Sequence, residues 1–161
     1  MSTRIPSKPR SELRPDQQEM HDHFMEIVGQ SSHPGAAERA GRVFLPFLVL
    51  APQIGRLSVD MLQAVEGLPS LPADARETAS LACTTFFRCD FATYAHSAMP
   101  VKLGLLTQSQ ADAIASGQKP DDLNKGCSLA YDVTRQLLEV RGALPQDLWD
   151  ACVRQFGQEG A

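Results

Sequence analysis

Apolar side chains recur along most of this chain at intervals of three and four, and nowhere in strict alternation, so the pattern predicts helices and no strands. The first helix is expected from Pro15 and Asp16, with Met20, Phe24, Ile27 and Val28 as its apolar stripe and Gly29 as a stop. Ser31 to Gly41 has turn chemistry and reads as loop. Val43 to Leu50 is wholly apolar, but Pro46 interrupts it, which argues against a central strand. It reads instead as a buried turn or short helix leading into a helix that starts near Pro52 and ends near Gly67.

The stretch SLPADARETASLACTTFFRCDFATYAHSAMPVKLGL places Pro72, Asp74 and Glu77 at the positive end of a helix and Gly104 at its far terminus. Its length predicts two helices in succession, with a break near Phe87 to Asp90 and a kink or separated last turns at Pro100. Thr107 and Gln110 have capping-box spacing for a short helix ending at Gly117. Pro120, Asp121 and Asp122 then open a long helix, with Leu129, Val133, Leu137 and Leu138 expected as its buried stripe and Gly142 as its close. A last helix runs from Pro145 to Phe156 and stops at Gly157. The class is all-α, with about six to seven helices.

Composition narrows the picture. At 161 residues the chain is expected to form one domain over 15–161, preceded by a Pro-, Ser- and Arg-rich extended arm, 1–14, that orders only against a neighbour. Fifteen basic and nineteen acidic side chains give a net charge of −4, which argues against nucleic acid as a partner. No apolar run is long enough for a membrane span, and the N-terminus lacks the apolar segment of a secretory signal, so a cytoplasmic, soluble protein is expected. Four cysteines at irregular spacing read as reduced thiols, three of them buried.

Chemistry concentrates in RCDFATYAHS, Arg88 to Ser97. On a continuous helix Cys89 and His96 return to nearly the same face, about 10 Å apart along the axis, with the small Ala92 between them leaving a notch. An antiparallel turn brings Glu77 from the preceding helix towards His96, as an acid–base pair, and an imidazolium there would favour a Cys89 thiolate. The competing reading gives Cys89 a packing role beside Phe87 and Phe91, His96 a structural hydrogen bond, and Glu77 a place on a solvated first turn. Cys83, six residues before Cys89, falls on another face if the helix is continuous. His21 and His23 point to different sides of the first helix, so no metal site is expected there, and His33 lies in the loop. Phe47, in FLPFLVL, is a candidate lining residue of an apolar ligand cavity, with core packing as its alternative.

The spacing of Glu77, eleven residues, Cys89, two residues, Ala92, three residues and His96, together with PFLVLAPQIGRL and the later helical segments, resembles the carboxymuconolactone decarboxylase family, which shares the alkylhydroperoxidase D fold. The likeness covers most of the chain. In the peroxidase branch a second cysteine stands where this chain has Ala92, and the two cysteines cycle between dithiol and disulfide; alanine offers no resolving sulfur. The resemblance therefore implies an enzyme needing no cofactor, in which His96 acts as general acid or base and Glu77 orients it, on a small organic acid or lactone. Ala92 and Phe47 are the expected pocket-lining residues. The alternatives are a thiol-dependent peroxidase using Cys89 and a non-enzymatic ligand-binding or oligomerisation partner. Family members continue past FGQEGA into a further apolar helix, and they assemble as dimers, trimers or hexamers; a homo-oligomer is expected here too.

Overall fold

A computed structural model of the chain describes residues 5–29, 41, 44–140 and 142–161. Every regular element among them is helical: a 3-10 turn, Arg10–Glu12, and eight α-helices. These are α1 (Pro15–Gly29), α2 (Leu45–Leu48), α3 (Pro52–Glu66), α4 (Ala73–Phe86), α5 (Asp90–Lys102), α6 (Gln108–Ala115), α7 (Lys125–Glu139) and α8 (Gln146–Gly160). The expected loop at 31–41, His33 with it, lies outside the described residues except for Gly41. The described residues divide into two compact units, one ending at Gly67 and one beginning at Leu68.

In the first unit, α1 buries Met20 and Phe24 against Leu45 and Leu48 of α2 and Val59 of α3, with Leu13 joining the same cluster. Ile27 and Val28 only flank it. Gln17 is buried with them because its amide is satisfied: Nε2 donates to the Val49 carbonyl at 2.8 Å and Oε1 accepts from the Arg14 N–H at 3.1 Å. The short helix predicted around Pro46 exists because proline fits the first turn, where no backbone donor is needed. α2 then crosses α3 so closely that a Cβ on Gly55 would stand 2.5 Å from the Leu48 carbonyl oxygen, which restricts that position to glycine. On its opposite side α3 leaves Ile54, Leu57, Met61 and Val65 exposed in one row. Before α1, Arg10 reaches Asp22 with two hydrogen bonds of 2.6 and 2.5 Å. That guanidinium, with His21 also contributing, holds the Asp22 carboxyl down at about 2.

The second unit is centred on α4, which packs most extensively on α7 and also against α5 and α6. Leu81 and Ala82 of α4 are buried with Ala111 and Ile114 of α6 and Tyr131 of α7, while Ala75, Ala130, Cys152 and Phe156 bring in α8. The buried stripe of α7 differs from the leucine-based expectation. Cys127, Ala130 and Tyr131 face inward, Leu129 and Val133 are partly covered, and Leu137 is exposed. The tyrosine belongs inside because its hydroxyl donates to the Gly117 carbonyl at 3.1 Å, so burial leaves no unpaired polar group. α7 also starts later than Pro120 suggests, because Asn124 caps it by accepting from the Cys127 N–H at 2.9 Å. It ends at Glu139, where Val140 turns extended, before the expected Gly142.

The break between α4 and α5 falls where it was expected, and it needs no glycine because Arg88 itself takes the left-handed conformation, φ 53°. The Thr107–Gln110 capping box is complete, with bonds of 3.2 and 2.9 Å. α5 runs on through Pro100, which is buried within it. α8 breaks at Gly157, whose φ of 70° and ψ of 176° are not helical.

Candidate functional site: the α4–α5 pair and its groove

α4 and α5 run antiparallel because the chain reverses within Phe87 to Cys89, and that reversal returns α5 along α4. His96, in the second turn of α5, thereby meets Glu77, in the second turn of α4: Nδ1 and Oε2 are 2.9 Å apart. The glutamate side chain is 16% exposed and the imidazole 36%. A carboxylate oxygen can only accept, so Nδ1 carries the proton and the neutral ring has its lone pair on Nε2. The carboxylate sits inside and orients; the imidazole stands at the edge where a ligand can reach it.

α7 completes the surroundings. At the start of α4, Asp74 Oδ2 accepts from the Asn124 side-chain amide at 2.7 Å, and Asn124 is the residue that caps α7. This brace sets the first turns of α4 and α7 side by side. Further along, the two helices flank a groove of about 470 Å³. Its wall on α4 is formed by Ala79, Ser80, Cys83 and Thr84. Thr134, Leu137 and Leu138 of α7 face them, and His96 closes one side. The exposed Leu137 thus has a role that the core stripe did not suggest. The Thr84 hydroxyl donates to the Leu81 carbonyl at 3.1 Å, which leaves its oxygen free to accept.

The other residues proposed from the sequence sit differently. Cys89 is exposed and stands at the N-cap of α5 with φ −88° and ψ 83°, so the helical-face relation to His96 does not apply: the helix begins one residue after it. Neither Cys89 nor the half-buried Ala92 lines the groove. Phe47 is exposed on α2 in the first unit. The break at Arg88 also removes the premise that separated Cys83 from the site, and Cys83 shares the groove with His96. Ser80, Cys83 and Thr134 were the residues missed. The spacing of Glu77, Ser80 and Thr84 at three and seven residues on one helix was the signal available.

In the first unit a cleft of about 190 Å³ lies between the arm, with Ile5, Pro6 and Lys8, and the α2 end at Val49 and Leu50. Among the described residues, its lining includes no histidine, cysteine or carboxylate. His23 does pair with a carboxylate, Asp60, at 2.7 Å, and His21 with Asp22 at 3.0 Å, so the two histidines of HDH serve separate partners. Among the described residues no group of three or more potential metal ligands comes together. Among the described residues no helix is long and apolar enough to cross a membrane.

Burial raises the thiol pKa of Cys127 and Cys152 and favours their neutral forms; for Cys127, hydrogen bonding with Thr78 works the other way. All four cysteines are free.

Searches against family models, curated proteins and solved structures found no match to this chain.

Proposed function

We propose that the chain is a carboxymuconolactone decarboxylase-like enzyme of the alkylhydroperoxidase D-like fold, working without a cofactor by acid–base chemistry on a small organic acid or lactone. The observation that carries this reading is the Glu77–His96 hydrogen bond at the edge of a groove in the second unit. The Glu77, Cys89 and His96 spacing that resembles the family supports it independently. In a decarboxylation, the carbon–carboxyl bond breaks and its electron pair passes into the neighbouring lactone carbonyl as an enolate. Nε2 of His96 takes the proton of the substrate's carboxyl group, Glu77 stabilises the resulting imidazolium through Nδ1–H, and Nε2 then gives that proton to the carbon. Hydroxyls of Ser80 and Thr134 in the groove wall are available to an oxyanion or a carboxylate.

Assembly into a homo-oligomer in the cytoplasm belongs to the same reading. The exposed row Ile54, Leu57, Met61 and Val65 on α3 supports it, since an apolar helix face of this kind is stabilised by burial against another surface. A second reading, a one-cysteine peroxidase, is favoured by the exposure of Cys89 at a helix N-terminus; peroxide consumption undiminished in Cys89→Ser removes it.

The test of the main reading is release of carbon dioxide from a carboxylated γ-lactone by the full chain and by His96→Asn. A loss of about 10²-fold or more, with the melting transition retained, is expected for removal of a general acid–base. No release by the unaltered chain, or equal release by the variant, overturns it.

A further inference from the structure

The groove holds a thiol that the acid–base reading does not use. Cys83 lies on the wall of α4, and His96, already oriented by Glu77, lies on α5 against the same space. A nucleophile, a base and a carboxylate that orients the base are the three parts of an activated-nucleophile site, and here they come from two adjoining helices. Cys89 meets the first requirement only in part: it is exposed, but it lies outside the groove lining. Cys127 and Cys152 are buried, and burial favours their neutral thiols.

We propose that Cys83 is the thiol served by the Glu77–His96 pair, and that the groove takes small α,β-unsaturated carbonyl compounds onto it. Leu137, Leu138 and Ala79 give such a ligand apolar contact, and the Ser80 and Thr134 hydroxyls can donate to its carbonyl oxygen. In the addition, Nε2 of His96 takes the thiol proton and the sulfur bonds to the β-carbon. The π-electron pair of the carbon–carbon double bond moves to the carbonyl as an enolate, and the proton passes from Nε2 to the α-carbon. Nothing is oxidised or reduced, and no further reactant is needed.

The inference rests on the same Glu77–His96 pair as the proposed function, but its readout is adduct formation and not turnover. The probe is N-ethylmaleimide, itself a small unsaturated carbonyl compound. It is applied to the full chain carrying Cys89→Ser, so that the exposed thiol is silent, with the adduct rate read by intact mass and its position by peptide mapping. The expected result is a single adduct at Cys83, forming about tenfold more slowly when His96→Asn is added and less markedly slower with Glu77→Gln. The Glu77→Gln arm, together with retained melting transitions, guards against a folding artefact in the histidine variant. Absence of an adduct at Cys83 under native conditions overturns the proposal. So does a rate unchanged by both substitutions, a result that leaves the acid–base reading standing on its own test of carbon dioxide release.

Discussion

Each unit of the molecule carries a histidine–carboxylate pair from two helices, and the two pairs differ in what is buried. In the first unit His23 meets Asp60 at 2.7 Å, with the imidazole 18% and the carboxylate 45% exposed. In the second, His96 meets Glu77 at 2.9 Å with the order reversed, 36% for the imidazole and 16% for the carboxylate. Distance alone does not separate them. What separates them is that the second pair tucks its orienting group inside and sets its imidazole against a groove, while His23 does not line the cleft of its own unit. A base needs a fixed orientation and a place for substrate beside it, and only one pair has both. The first pair has the geometry of a surface hydrogen bond, worth about 0–1 kcal/mol.

The largest effect that breaks or sharpens this contrast is on turnover. His96→Asn is expected to reduce carbon dioxide release by about 10²-fold or more while His23→Asn leaves it within about twofold, measured side by side on one lactone. Equal losses would erase the distinction between the two pairs.

Next comes packing beneath the second pair. Leu81 is fully buried between α4, α6 and α7, so Leu81→Ala should lower stability by about 2–5 kcal/mol in urea unfolding. Asp60→Asn, at the exposed pair, should change it by less than about 1 kcal/mol. The units separate again under alkali. Cys127 and Cys152, both in the second unit, have thiol pKa values raised by burial. Their contribution is intact below about pH 8.5 and declines as the pH rises beyond it, because thiolates form more readily in the unfolded chain. Unfolding curves between pH 8 and pH 10, flattened in Cys127→Ala, measure this. Under acid the first unit responds: Asp22, held at about 2 by Arg10, keeps its pairing advantage above about pH 4 and loses it as the pH falls through about 2. As both partners are exposed, only a small acid-dependent loosening of the arm is expected, visible as faster amide exchange near Arg10.

The helices were legible because proline, glycine and capping residues mark their ends independently of packing. Pro46, Pro52, the Thr107–Gln110 box and Gly157 all act where the sequence places them. The Glu77–His96 contact was legible because two helices joined by a tight break must return on one another. The groove was not, since it depends on α7, whose register against α4 is set by Asn124 and Asp74 fifty residues apart. The leucine pattern of α7 misled for the same reason: Tyr131 reaches a carbonyl fourteen residues away and takes the inner face, which leaves Leu137 outside beside the groove. Cys89 was misplaced because Arg88, beyond the end of α4 at Phe86, adopts a left-handed conformation, which sequence reads poorly in a residue other than glycine or asparagine, and so leaves the cysteine at the N-cap of α5.

The central claim is that Glu77 fixes the proton of His96 on Nδ1 and leaves Nε2 as the working nitrogen. Long-range nitrogen–proton correlation of the imidazole rings reads this directly in the neutral form, with the His96 signals assigned by their loss in His96→Asn. The account predicts the Nδ1–H tautomer in the unaltered chain and a mixture in Glu77→Gln; a neutral ring protonated on Nε2 in the unaltered chain would contradict it.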